Sequence, residues 1–205
     1  MIILLGTSHI SPESIKKIKK IIKEEKPDCV AVELDMSRYQ SMLSKKSGSP
    51  PGLFLKILSW VQKRLGKMTG IFPGQEMFEA VNLSRKSGIP VYLIDQNFQV
   101  TAQDIQNIST WEKIKLLVLT FFAFSEEKLD LKDVPPEKII KEAIHYMRKN
   151  FPEIYKVLVV KRNEYMAEVI QELKKRYKNI LVVVGAGHIE GLKKLLKDKN
   201  LKTIS

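Results

Sequence analysis

Two apolar runs of strand-forming residues stand at opposite ends of the chain, and each leads directly into Gly-x-x-His. Ile2-Ile3-Leu4-Leu5 precedes Gly6-Thr7-Ser8-His9, and Ile180-Leu181-Val182-Val183-Val184 precedes Gly185-Ala186-Gly187-His188. A buried strand that ends in glycine and then histidine carries an imidazole to the carboxyl edge of a parallel sheet, where open α/β folds build their sites. The two histidines are therefore expected to leave neighbouring strands at one edge and to meet in space.

The segments between them alternate as βαβ at both ends and are helical in the middle. Ser11-Pro12-Glu13 reads as a helix start, with a cap, a proline in the first turn and an acid at the positive helix end. That helix runs to about Lys26, and Pro27 stops it. Cys29 to Leu34 is the second strand, followed by a short helix over Arg38 to Leu43. The turn-rich break Ser47-Gly48-Ser49-Pro50-Pro51-Gly52 then opens an excursion. Leu53 to Leu65 is amphipathic, Gln75 to Ser87 is helical, and Ile89 to Ile94 is the third strand. From Gln96 to Asn150 only helical segments are expected, and one of them, Trp111 to Phe124, is apolar nearly all round. Pro152 to Tyr177 reads as a long helix with a break near Val159, ahead of the fourth strand, the helix after His188 and a last strand at Leu201 to Ile204. The expected fold is one α/β domain over 1–205 with a mostly parallel sheet. Helical insertions at about 47–88 and 96–150 would form a lid over its carboxyl edge.

Composition narrows the function classes. A length of 205 residues, 44% of them hydrophobic and 28% charged, suits one sizeable core. The net charge of +12 invites a nucleic-acid reading. The lysines, however, are mixed with glutamate along helical faces, as in Glu13 to Lys26, where Ile15, Ile18, Ile21 and Ile22 form the buried stripe. That is a solvated face, and no nucleic-acid partner is expected. Abundant Lys, Glu and Ile also suit a heat-adapted protein. The single cysteine, Cys29, excludes a disulfide within the chain and points to a reducing, cytoplasmic compartment. The amino terminus enters a strand at once, which is not the pattern of a signal peptide. Leu116 to Phe124, the longest apolar stretch, is far short of the roughly 20 residues of a membrane span. The same apolar helix is a surface that a second copy of the chain would cover in a homodimer.

The strand ends supply the chemistry. Strand one delivers His9, strand two ends in Val32-Glu33-Leu34-Asp35, strand three in Leu93-Ile94-Asp95, and strand four delivers His188. Two imidazoles and a carboxylate form a common ligand set for a divalent ion that keeps positions open for water or substrate. Glu33 is the preferred third ligand. By strand alternation it shares a face with Ala31, while Val30, Val32 and Leu34 take the other. Glu76, at a helix start that favours its charge, is the second acid and a candidate general base or further ligand. Either carboxylate can be the ligand. Arg38 and Arg162 are candidate substrate anchors, although Glu33 could pair with Arg38, and an arginine on a long helix is usually a surface ion pair. Asp95 reads as a helix N-cap, and His145, in a basic amphipathic helix, as structural. Gly185-Ala186-Gly187-His188-Ile189-Glu190-Gly191 also resembles a dinucleotide-binding turn. That reading needs a following strand with an acid about 20 residues on for the ribose, and the sequence ends 14 residues after Gly191.

Taken in order, Gly6-Thr7-Ser8-His9-Ile10-Ser11, Val32-Glu33-Leu34-Asp35 with Arg38, Gly74-Gln75-Glu76-Met77, Leu93-Ile94-Asp95, Arg162-Asn163-Glu164-Tyr165-Met166-Ala167 and Val184 to Gly191 closely resemble the TraB family. This family includes the pheromone-shutdown proteins and is similar to the Tiki metalloproteases. Its superfamily also takes in erythromycin esterases and haem-binding lipoproteins of the ChaN type. The resemblance covers almost the whole chain. It implies an α/β fold of the erythromycin esterase/ChaN-like kind and a metal-dependent hydrolase, a peptidase, acting on a peptide or small molecule. It further implies His9, His188 and Glu33 as metal ligands, Glu76 as the other catalytic acid, and Mn, Co or Zn as the ion. An archaeal, heat-adapted source fits the composition.

Two departures bear on substrate recognition. Where many relatives carry Asp-Arg after the third strand and another Arg a few residues on, this chain has Asp95-Gln96 and Thr101-Ala102-Gln103. Many relatives also continue into a membrane-spanning region after the part that this chain matches. The alternative to an enzyme is a non-catalytic protein that sequesters a peptide or small ligand in the same cleft.

Overall fold

The computed structural model describes residues 1–7, 12–44, 74–125 and 136–204. Among them, five strands form one all-parallel sheet in the order β3-β2-β4-β1-β5. They are β1 (Ile2–Thr7), β2 (Cys29–Val32), β3 (Val91–Leu93), β4 (Ile180–Gly185) and β5 (Leu201–Ile204). The apolar runs at the two chain ends thus become the central pair. β1 lies beside β4 in a register that sets Gly6 against Val184 and Thr7 against Gly185, so the two Gly-x-x-His motifs start at the same level of one edge. His9 itself lies outside the described residues, as do the 47–52 break and the amphipathic 53–65 segment.

Both central strands are buried on both sides, which is why they carry no polar alternation. One face packs Ile3, Leu5, Val30, Val32, Leu181 and Val183 against α1 (Pro12–Glu25) and α3 (Gln75–Lys86). In α1, Ile18, Ile21 and Ile22 are buried while the intervening lysines face water; Lys26 then turns into a left-handed conformation and Pro27 ends the helix. The opposite face packs Ile2, Leu4, Ala31, Val182 and Val184 against α8 (Lys161–Lys174) and α9 (Ala186–Leu196). Each such fully buried Val, Leu or Ile side chain contributes about 1.5–3 kcal/mol relative to exposure.

The connections explain where a cleft opens. From β2 the chain passes through α2 (Met36–Ser44) and α3 over one face to β3, whereas from β4 it passes through α9 over the other face to β5. β2 and β4 are neighbours whose outgoing connections part in opposite directions, the topological condition for a crevice at the carboxyl edge.

After β3 come only helices until β4 among the described residues: α4 (Phe98–Asn107), α5 (Thr110–Ser125), α6 (Pro136–Asn150), α7 (Pro152–Tyr155) and α8. They share a core of Ala102, Ile105, Ile108, Phe151, Ile154 and Val157. Buried Glu112 caps α7, accepting the backbone N–H of Glu153 (3.1 Å) and Ile154 (3.0 Å), and the Glu153 carboxylate accepts the N–H of Ser109 (2.8 Å) in return. On α5, Trp111, Ile114 and Val118 face outward. No helix among the described residues is long and apolar enough to cross a membrane.

Within the described residues the expected strands and helices are present with shifted ends. The second and third strands are shorter than the apolar pattern suggests, ending at Val32 and Leu93, although the N–H groups of Glu33 and Ile94 still donate to Val183 and Val32. The break expected near Val159 is a π-helical turn over Lys156–Val160 that joins α7 to α8 without interrupting the helix axis sequence. Within the segment read as an insertion, α3 is a sheet-covering helix whose Met77, Ala80 and Val81 enter the core.

Candidate functional site

Glu33 is the first residue past β2, and strand alternation carries it to the α8/α9 face together with Cys29 and Ala31. It is buried. Its backbone N–H still donates to Val183 (2.9 Å), which fixes the side chain over the end of β4. There Oε2 accepts the N–H of Gly185 (2.6 Å), the N-cap of α9. An anion at a helix N-terminus is stabilised by the unpaired N–H groups and the helix dipole. The carboxylate of Glu33 therefore takes the place that a pyrophosphate would need, which is a physical reason against the dinucleotide reading.

The other oxygen, Oε1, accepts from Arg162 Nη2 and lies 3.2 Å from Nε2 of His188. His188 is in the first turn of α9 and is buried; its Nδ1 is 2.7 Å from Oδ1 of Asn163, also buried. Because an amide oxygen only accepts, this contact calls for a proton on Nδ1 and turns Nε2 toward the Glu33 carboxylate.

Arg162 ties Glu33 to the end of β3. Its Nε and Nη2 donate in a fork to Oδ1 (2.9 Å) and Oδ2 (2.7 Å) of Asp95, while Nη1 donates to the Leu158 carbonyl (3.2 Å). Burial alone would pull the guanidinium pKa down, but the charges and hydrogen bonds of Glu33 and Asp95 outweigh it and hold the pKa above its ordinary range. Arg38 extends the chain of charges, donating to Asp35 and to Asp95. Asp35 also accepts the N–H and hydroxyl of Ser37 (2.9 and 2.5 Å). Burial would raise the Asp35 carboxyl, yet the Ser37 and Arg38 hydrogen bonds and the Arg38 charge lower it below the usual carboxylate range. Among the described residues the cluster holds the carboxylates Glu33, Asp35 and Asp95 against the guanidiniums Arg38 and Arg162.

Several sequence expectations change here. Asp95 does not cap a helix: Asn97 caps α4, accepting the N–H of Gln99 at 2.8 Å, and this releases Asp95 for the two arginines. Arg162 is not a surface ion pair, with a side chain 15% exposed. Glu33 pairs with Arg162, and Arg38 with Asp35 and Asp95. His145 is exposed on α6. The thiol of buried Cys29, pushed up to about 12 by burial and Asp28, is held in its unreactive form. Glu76 is buried in the first turn of α3. Since α3 runs antiparallel to β3, that turn lies toward the carboxyl edge. Gln96 uses its backbone N–H on Asp95 (2.8 Å).

Sequence reasoning passed over Asn163. Its signal was present: it directly follows Arg162, and the π-turn just before these residues is a feature that recurs at functional sites.

Among the described residues, one imidazole nitrogen and one carboxylate oxygen with the chemistry of metal donors lie 3.2 Å apart. Adjacent ligands of one ion at roughly 2.0–2.2 Å lie roughly 3 Å apart, comparable to the Nε2–Oε1 separation, and a second-shell acceptor on the other imidazole nitrogen is typical of metal-bound histidine. Among the described residues no group of three or more His, Cys, Asp or Glu side chains is arranged to hold a metal.

A model of the TraB/PrgY/gumN family matches residues 1–203. The chain is 36% identical over 215 residues to an uncharacterized protein of Methanocaldococcus jannaschii, an alignment covering 96% of this chain and 53% of that protein. It is 26% identical over 231 residues to the TraB domain-containing protein of Bos taurus and 25% over 233 residues to that of Homo sapiens, each covering 93% of this chain and 61% of the relative. The chain thus spans between about half and three-fifths of these relatives' length.

Proposed function

The chain belongs to the TraB/PrgY/gumN family, and from that premise we propose that it is a metal-dependent hydrolase of peptide substrates, with His9, His188 and Glu33 as the ligands of a Mn, Co or Zn ion and Glu76 as the proton acceptor. The observation that carries this reading is the 3.2 Å approach of His188 Nε2 to Glu33 Oε1 in a buried cluster of ionisable side chains. His9 lies two residues beyond Thr7, which is paired with Gly185, and two residues span at most about 7 Å of chain. When bound, the ion would polarise a substrate carbonyl and acidify water.

The remaining work falls to the chain's own groups. His188 presents Nε2 because Asn163 occupies Nδ1, and Glu33 presents Oε1 because Gly185 holds Oε2. Arg162 keeps Glu33 charged and aimed, and Asp95 keeps Arg162 in place. Glu76, at a helix start that favours its anion, accepts the proton of the attacking water and returns it to the leaving amine. The helical segments after β3 form the lid that excludes bulk water.

The binding-protein alternative is favoured by one observation: Arg38 and Arg162, the expected substrate anchors, are both engaged by carboxylates, and the chain has glutamine at 96 and 103. Turnover decides between the readings. With Mn²⁺, Co²⁺ or Zn²⁺ supplied, the protein should cleave an unstructured peptide, and Glu76→Gln should remove cleavage while the metal stays bound. Ligand retention without turnover on peptide and ester panels would establish the binding protein instead.

A further inference from the structure

His188 reaches the site from α9, yet the residue that decides which of its nitrogens is open sits on α8. We propose that Asn163 is a positioning residue for His188, fixing the imidazole proton on Nδ1 so that Nε2 faces Glu33 as a lone pair, and that residue 191 is glycine to admit the Asn163 amide. The inference concerns how the site of the proposed function is set and rests on that reading for its metal-binding consequence alone.

Three observations carry it. Asn163 Oδ1 lies 2.7 Å from Nδ1, with both residues buried. On the other side of the ring, Glu33 Oε1 is 3.2 Å from Nε2 and would accept a proton there. In the neutral ring the two sides compete for one proton: Asn163 draws it to Nδ1 and opens Nε2, whereas Glu33 draws it to Nε2 and closes the site. Finally, α9 passes so close to α8 that a Cβ at Gly191 would stand 2.1 Å from Asn163 Nδ2 and 3.0 Å from its Cγ. Those atoms belong to a buried side chain wedged between two helices, so any larger residue at 191 displaces the amide that orients His188.

The prediction is specific about direction. With Asn163 shortened, the proton should pass to Nε2, where the Glu33 carboxylate accepts it, and a metal would then have to displace that proton. Loss of such an outer-shell partner typically costs about 10–100-fold in metal affinity. Asp at 163 keeps an acceptor in place and should restore the arrangement. Alanine at 191 should act like alanine at 163 although it touches neither His188 nor Glu33.

Nitrogen-15 NMR of the metal-free protein, well above the ordinary histidine pKa range, reads the tautomer directly; the chain has 3 histidines, and the His188 signals are those missing from His188→Ala. The expected result is a proton on Nδ1 in the wild type and in Asn163→Asp, and on Nε2 in Asn163→Ala and Gly191→Ala. Zn²⁺ titration should then show about a 10–100-fold loss in the two alanine variants and near wild-type affinity in Asn163→Asp. A wild-type proton on Nε2, or an unchanged tautomer in Asn163→Ala, overturns the positioning role whatever the metal does. A tautomer that shifts as expected in a protein that binds no Zn²⁺ upholds the positioning role and sinks the metal reading. Should Asn163→Ala fail to fold, Gly191→Ala and Asn163→Asp carry the same decision.

Discussion

The two edges of the one parallel sheet use polar groups in opposite ways. At the amino edge, exposed Asp28 accepts the backbone N–H groups of Lys178 (3.0 Å) and Asn179 (2.7 Å), Asn179 donates to the Glu25 carbonyl (2.7 Å), and Lys202 pairs with Glu25 (2.5 Å). Those groups close chain ends and turns and remain in contact with water. At the carboxyl edge, Glu33, Asp35, Asp95 and His188 are buried, and their partners are mostly one another and two guanidiniums. Buried ion clusters of this kind are weak evidence for stability, since apolar replacements of similar volume are often as good. Perturbed, dehydrated charges are more often arranged for binding or catalysis. The contrast teaches that polarity at the amino edge closes turns and chain ends, whereas the buried polarity at the carboxyl edge is the place to test for a functional site.

Breaking one partner at each edge should separate the two kinds. Arg162→Ala leaves Glu33 and part of Asp95 buried without their main cation, and should cost about 3–5 kcal/mol by urea unfolding. Asp28→Ala removes two hydrogen bonds from groups that water can reach, and should cost about 1 kcal/mol. Equal losses would mean that burial is not what distinguishes the edges.

A pH series sharpens the comparison. The lowered carboxyl of Asp35 contributes stability above its unfolded value, roughly 3.9, and that contribution is lost as pH falls through the lower folded value. Thermal melts from neutral pH to about pH 3 should therefore fall less steeply in Asp35→Asn than in the wild type. Identical slopes would remove Asp35 from the acid response. The smallest effect belongs to the amino edge: Lys202→Ala, which breaks a half-exposed pair, should change stability by less than about 1 kcal/mol, and a larger change would show that this edge is not merely solvated.

How much of this was legible in the sequence follows from the range of the interactions. The parallel central pair was written in two unbroken apolar runs, and Glu33 could be placed on the Ala31 face by alternation. That Asp95 serves the arginines was hidden, because Asn97, two residues on, takes the cap and no local rule chooses between them. Arg162 and Asn163 were visible as a pair on a helix, but their partners lie 129 and 25 positions away, distances across which periodicity says nothing. The Gly191 requirement likewise arises from a contact between two helices. His9 and the 53–65 segment fall outside the described residues, so the reach of the first motif rests on the β1–β4 register.

The most direct test of the central claim, that the carboxyl edge holds a divalent ion between the two Gly-x-x-His motifs, is elemental analysis of protein purified without chelators. The account predicts close to one Mn, Co or Zn per chain in the wild type and almost none in His9→Ala or His188→Ala, with the apo-proteins of all three melting at nearly the same temperature. Metal content unchanged by either substitution, together with a large loss of stability, would contradict it and make both histidines part of the scaffold.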